Sequence, residues 1–473
     1  MKEQSNKILL AFYGDDFTGS TDALEFLSRA GAKTVLFIEP PTPEKLASYP
    51  GIEAIGVAGI TRSMNPQEME QVLTSAFTSL KQLGARHIHY KVCSTFDSSP
   101  TIGSIGKAID IGAEIFASSF VPLLVAAPAL GRYCVFGNLF ARMGIGSNGV
   151  IYRLDRHPSM SRHPVTPSHE SDLRLHLTKQ TSRTIGLMDI LQVVQEHEKG
   201  KTILQSVIDD GNEIVLFDAL YEEQLEGIGL LIDAYANDNS SLFSVGSSGI
   251  EMALGSMWQS QELLTPRQSW PEAGKAEPLL IVSGSCSLTN SRQITRALSQ
   301  GFVEVGLDTG FIATNGNTAA VIEKHVSQVV DFINEGYNVI VHTSRGNDDE
   351  RLLNANEVFS AKGFTQTEIS QLTSKLFGAA LGQIALGVAA RTKLQRIVIA
   401  GGDTSGYAVR EMGIEAVEVM ALHSPGAPIC KAHAPGSPLD GLEVIIKGGQ
   451  VGGEDYFETV VEGKYNFTNT IEM

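Results

Sequence analysis

Residues 8–38 read ILLAFYGDDFTGSTDALEFLSRAGAKTVLFI, and this stretch decides the fold. Ile8–Tyr13 is a short apolar run suited to a strand, Ser20–Ala30 repeats apolar residues at helical spacing, and Thr34–Ile38 is a second strand-like run. A strand, a helix and a strand in that order predict a βαβ unit with its strands parallel. The rhythm continues outward through Glu53–Gly59, His87–Tyr90 and Val121–Ala127, the last followed by Pro128 and the loop Gly131–Asn138. It resumes later with strand-like runs at Leu279–Ser283, Asn338–His342 and Arg396–Ala400. Thr365 and Glu368 have the spacing of a capping box ahead of an apolar-periodic stretch reaching Val388.

The expected class is therefore α/β: two domains, each with a mainly parallel sheet flanked by helices, and an active site in the cleft between them. A chain of 473 residues is long enough for more than one core. Residues 265–278, TPRQSWPEAGKAEP, carry three prolines and no apolar periodicity, which marks a linker. It divides the chain into an N-terminal domain, 1–264, and a C-terminal domain, 279–473.

Composition excludes several classes. Hydrophobic residues make up 42% and charged residues 19%, so the chain is globular rather than disordered or fibrous. A formal net charge of -17 argues against a nucleic-acid partner, whose affinity comes from clustered Lys and Arg. The same charge repels anionic ligands, so an anion site must be local, built from backbone N–H groups and a few cations. Cys93, Cys134, Cys286 and Cys430 form no C-x-x-C pair, which points away from zinc and disulfides and toward a reducing cytoplasm. The start resembles no signal peptide, and no apolar span suggests a membrane partner.

Six loops at strand ends carry candidate chemistry. In an open parallel sheet, ligands bind beyond the carboxyl ends of the strands. Gly14-Asp15-Asp16-Phe17-Thr18-Gly19-Ser20 places paired acids there, able to hold a sugar hydroxyl, act as a base or hold a metal; equally, Asp16 or Thr18 caps the following helix. Lys91, followed by Cys93, Ser94 and Thr95, suits a carboxylate, as does Arg62 in Gly59-Ile60-Thr61-Arg62-Ser63. Gly401-Gly402-Asp403-Thr404-Ser405-Gly406, Ser283-Gly284-Ser285-Cys286-Ser287 and Lys447-Gly448-Gly449 together read as a polyphosphate cradle built of backbone and hydroxyl donors. No G-x-x-x-x-G-K-[ST] loop occurs. The scattered His163, His169 and His423 lack zinc-helix spacing.

Taken in order, these motifs resemble the four-carbon acid sugar kinase family over nearly the whole chain. The resemblance implies an N-terminal domain that binds an acid sugar, a C-terminal domain that binds ATP, and Mg²⁺ with the triphosphate; the metal ligands are left open. It implies nucleotide contacts at Ser285 or Ser287, Gly401, Gly402, Asp403, Thr404 and Gly449, and a substrate pocket at Asp15, Asp16, Arg62, Lys91 and Ser94. Two segments depart from the family. After the lysine, Cys93-Ser94-Thr95-Phe96-Asp97-Ser98 stands where many members read D-S-T-L-R-G, and residues 163–173 differ from the commoner D-P-x-x-P version. Both fall in the substrate half, so this variant looks like members acting on a branched acid such as 3-oxo-isoapionate, beside the tetronates and 3-oxo-tetronates. Asp16, ahead of Asp15, is the expected general base. The rival readings are an NAD(P)-dependent sugar-acid oxidoreductase, for which no convincing G-x-G-x-x-G appears, and a two-domain sugar-acid binding protein. A homodimer is an assembly left open.

Overall fold

The computed structural model describes residues 7–143, 149–163, 165–237, 240–316, 318–346 and 348–464; Pro164, in the second departing segment, lies outside them. The chain folds as two compact units, residues 1–268 and 269–473, with the division falling inside the proline-bearing segment.

The first unit contains strands β1 (Leu10–Gly14), β2 (Thr34–Phe37), β3 (Ala54–Ala58), β4 (His87–Lys91), β5 (Val121–Leu124), β6 (Arg132–Val135), β7 (Asn138–Arg142), β8 (Ile151–Arg153), β9 (Ile185–Met188), β10 (Ile214–Phe217) and β11 (Leu242–Gly246). Eight of them form a sheet in the order β2-β3-β1-β4-β11-β5-β10-β9, and every pairing within it is parallel. Every residue of β1, β3, β4 and β11 is buried. Helices cover both faces of such a sheet, which is why β1 and β3 read as continuous apolar runs rather than alternating ones, while β4 buries the polar His87, His89 and Lys91 as well. Strands β6, β7 and β8 make a separate antiparallel sheet.

Register sets the position of the site. Gly14 pairs with Ala58 and with Lys91, and Lys91 pairs with Gly246. The carboxyl ends of β3, β1, β4 and β11 are therefore level, so the loops that begin at Gly59, Asp15, Val92 and Ser247 leave one edge side by side.

The second unit contains β12 (Leu280–Ser283), β13 (Val303–Gly306), β14 (Val339–His342), β15 (Arg396–Ala400), β16 (Ala416–Ser424), β17 (Ala427–His433) and β18 (Glu443–Lys447), ordered β13-β14-β12-β15-β18-β17-β16. The first five are mutually parallel. The β16–β17 hairpin, absent from the sequence reading, adds antiparallel to β18. Ser283 pairs with Ala400, which pairs with Lys447, so three glycine-bearing loops also leave a level edge.

The capping box at Thr365 and Glu368 opens helix Gln366–Ala389. Its stretch Glu368–Ala389 is long and apolar enough to cross a membrane, which the sequence reading missed, yet half of that window is buried inside the unit, as in a core helix. Gly378 and Gly382 lie against helix Asp403–Glu411: a Cβ on either would come within 2.6 Å of Thr404 O or 2.3 Å of Ala408 O. That close approach fixes the helix whose first turn carries Asp403 and Thr404.

Candidate active site

At the edge of the first unit, Asp15 and Asp16 follow β1 directly and are almost fully buried. Asp15 N donates to Lys91 O at 2.8 Å, which locks the turn onto β4. Asp16 is the N-cap of helix Phe17–Ala30: its Oδ1 accepts from Gly19 N at 2.8 Å. Its Oδ2 accepts from Thr18 Oγ1 at 2.7 Å and faces Arg62 Nη2 at 2.6 Å. Burial opposes ionisation of Asp16, but Arg62 and these two donors prevail and hold its carboxyl below the usual range. Asp15 Oδ2 accepts only a 3.3 Å bond from Cys93 N, and its Oδ1 is buried with no partner. Burial first, and the charge of Asp16 second, push Asp15 up to about 7.

Lys91 and Arg62 do not stand open as expected from the sequence. Lys91 is fully buried; its Nζ donates to Val92 O at 3.0 Å and lies 3.9 Å from Asp22 Oδ2. Gly19 makes room for it, since a Cβ there would come within 3.2 Å of Lys91 Nζ. Arg62 pairs with Asp16, and its backbone N–H donates to Asp15 O at 3.0 Å. Ser94 is buried in the loop after β4.

Behind this edge lie groups that the sequence reading missed. Asp22 accepts a short hydrogen bond from Ser248 Oγ, and its other oxygen is unpartnered; burial raises it against the pull of Lys91. Glu251, at zero exposure, has two unpartnered oxygens and is pushed by burial to about 8. His89 Nε2 is 3.6 Å from Glu251 Oε1, and burial drives the imidazole down to about 3, so it is neutral. The available signals were an acid on the apolar face of a helix, Asp22, and a Gly/Ser turn after an apolar run, residues 246–249.

In the second unit, Ser287 caps helix Leu288–Ser299 and its hydroxyl also donates to Gly449 O. Ser285 Oγ donates to Ser287 Oγ at 3.3 Å. Gly401 N donates to Lys447 O at 3.0 Å, and Thr404 Oγ1 to Gly284 O at 3.5 Å. A Cβ on Gly284 would lie 2.3 Å from Thr404 Cγ2, and one on Gly449 2.3 Å from Ser285 Oγ. Backbone thus approaches where side chains would otherwise fill the cradle. Gly402 precedes the first turn of helix Asp403–Glu411 with no side-chain cap, and Ser405 N donates to Gly402 O at 3.2 Å; a helix start of this kind suits an anion. Beneath, Lys447 is fully buried and donates to Gln293 Oε1 at 2.8 Å, while Gln293 Nε2 donates to the carbonyls of Val451, Gly452 and Gly453. All seven residues named from the sequence for the nucleotide site, Ser285, Ser287, Gly401, Gly402, Asp403, Thr404 and Gly449, fall within this one loop cluster.

These features define an α/β protein with a carboxylate-rich sheet edge in one unit and a glycine-lined edge in the other. The chain matches the sugar-binding N-terminal domain family over residues 10–254 and the nucleotide-binding C-terminal domain family over residues 280–457. It is 42% identical to the 3-oxo-isoapionate kinase of Paraburkholderia graminis, covering 97% of this chain and 95% of that one. It is 27% identical to the 3-oxo-tetronate kinase of Salmonella typhimurium over 94% and 96%. A solved structure from Salmonella typhimurium LT2 has a TM-score of 0.73 at 24% identity, covering 95% of this chain and 98% of that one, a likeness of fold. The chain belongs to the four-carbon acid sugar kinase family.

Proposed function

We propose that the chain is an ATP-dependent kinase that phosphorylates a hydroxyl of a small acid sugar, with 3-oxo-isoapionate ahead of 3-oxo-tetronate as substrate. The orphaned Oδ1 of Asp15 carries this reading: a buried carboxyl with one uncommitted oxygen at the substrate edge, its proton affinity brought near neutrality. Similarity to the 3-oxo-isoapionate kinase along almost the full length supports the choice of substrate.

Phosphoryl transfer needs positioning and charge neutralisation more than covalent chemistry from the protein. Bound ATP with Mg²⁺ supplies the transferred group and neutralises its developing charge. The backbone of Gly401, Gly402 and Gly449 and the hydroxyls of Ser285, Ser287 and Thr404 fit the phosphates. Magnesium takes few protein ligands beside phosphate oxygens, and Asp403 is the carboxylate the cradle offers it. Asp15 accepts the hydroxyl proton as the sugar oxygen attacks. This reverses the order expected from the sequence, because both carboxylate oxygens of Asp16 are already bound and its proton affinity is low. Asp16 instead fixes the turn and holds Arg62.

Localisation in a reducing cytoplasm belongs to the same proposal, supported by four free cysteines. The test is a coupled ADP-release assay over 3-oxo-isoapionate, 3-oxo-tetronate and threonate, with sedimentation to fix the assembly state. Absence of ADP release with every acid sugar would end the proposal.

A further inference from the structure

Arg132 opens β6, in a loop to which the sequence reading assigned no chemistry. Its backbone N–H donates to Ala127 O at 3.1 Å, and Ala127 N donates back to Arg132 O at 3.0 Å. Ala127 lies three residues beyond the end of β5, and Leu124 pairs with Gly246 of β11. Arg132 is thereby tied to the same carboxyl edge as Asp15 and Lys91.

Arg132 is 6% exposed. Nη1 donates to the carbonyls of Leu130, Gly131 and Arg142 at 3.1, 3.3 and 3.1 Å, and these three bonds fix its plane. Nε is buried with no partner. Arg132 forms no ion pair among the described residues, although Asp97 and Asp22 are near enough for their charge to bear on it. An unpaired buried N–H on a fixed guanidinium is uncommon and calls for a ligand. The Nε side of a guanidinium is one of its bidentate faces for a carboxylate.

The other two cations at this edge are committed, Arg62 to Asp16 at 2.6 Å and Lys91 to Val92 O and Asp22. An anionic sugar entering a site with several carboxyls needs a cation that those carboxyls have not taken. We propose that Arg132 binds the carboxylate of the acid sugar through its Nε edge and so sets the preference for an acid over a neutral sugar. The assignment rests on the acid-sugar reading of the first unit. Its neighbour Asp97 lies in the segment that departs from the family pattern, so that segment shapes the space beside the bound carboxylate.

The test uses the full-length protein with threonate and its neutral counterpart threitol as probes, followed by isothermal titration. In Arg132→Met the dissociation constant for threonate is expected to rise about 100-fold, the loss typical of an unpaired buried charge partner, with little change for threitol. Arg132→Lys, which keeps the charge but not the planar fork, falls between. A folded Arg132→Met that binds threonate like the wild type overturns the assignment, as does an equal loss for both probes. Should neither variant fold, a crystal of the wild type with threonate decides: a carboxylate on Arg132 Nε supports the assignment, and one seated on Arg62 or Lys91 overturns it. A wild type that binds threonate but releases no ADP with any of the acid sugars sinks the kinase reading and leaves Arg132 in place, whereas a wild type that binds no acid sugar ends both.

Discussion

Asp15 and Asp16 are consecutive in the chain, yet their surroundings drive their carboxyls in opposite directions. Asp16 has a guanidinium at 2.6 Å and two hydrogen-bond donors; Asp15 has one long backbone bond, an orphaned oxygen and a charged neighbour. An efficient base has a pKa near the working pH and a free lone pair, and only Asp15 has both.

Asp15 must lose its proton before it can accept one. With its pKa raised to about 7, kcat/KM is expected to rise with pH through that value and level off above it. Asp15→Asn should lower kcat by roughly 10²–10⁴-fold and abolish this limb. Asp16→Asn should cost less activity while lowering Tm, since it removes an ion pair. Equal kinetic losses in the two variants would assign the wrong residue.

Arg62 lowers the pKa of Asp15 as well as that of Asp16. Arg62→Gln removes this pull, so the acidic limb of the pH–rate profile should move to higher pH. A limb that stays put or moves down would show that Arg62 does not act on the base. The profile, rather than the rate at one pH, is the diagnostic measurement.

Gly449→Ala places a methyl 2.3 Å from Ser285 Oγ, and Gly284→Ala places one 2.3 Å from Thr404 Cγ2. Both intrude where the nucleotide phosphates are proposed to lie. Each should raise KM for ATP by about 10-fold or more, since a small misplacement of a bound group is costly, while KM for the acid sugar changes little. Nucleotide titration reads the effect directly, and an unchanged ATP affinity would move the phosphates elsewhere.

Lys447 is buried without a carboxylate among its hydrogen-bond partners, and burial lowers its pKa to about 7 from the ordinary 10.5. Between those values the unfolded chain holds the proton that the folded chain releases, so this group makes stability rise with pH across that window. Below about pH 7 the whole cost of burying the charge is present. Lys447→Met removes the dependence, and its stability relative to wild type should fall by more than about 1 kcal/mol between pH 7 and pH 10, the worth of less than one pKa unit. Denaturant melts at the two pH values check this, and parallel curves for both proteins would refute it.

Much of the layout was legible because burial on both faces leaves a plain mark. Runs such as Leu279–Val282 and Ile397–Ala400 are apolar without alternation and end where glycine or hydroxyl residues begin, so both the strands and the loops at their carboxyl ends could be placed. Thr365 and Glu368 marked their helix start because a cap is a local device. The β16–β17 hairpin was missed although Pro425-Gly426 between its strands is a turn signal: its partner β18 supplies the pairing, and a turn alone does not say that the chain leaves the parallel rhythm there.

The amino-acid order by itself determined which residues stand at strand ends, that the loops are rich in glycine, hydroxyls and acids, and that the family follows from their succession. Only the tertiary structure decided which charges are committed. Strand register brings Asp15, Lys91 and Arg132 from distant parts of the chain to one edge, and proton affinity and pairing depend on distances of a few ångströms and on exclusion of water. Those are properties of the folded neighbourhood, so Asp16 proved to be a helix cap, Asp15 the open carboxyl and Arg132 the uncommitted cation.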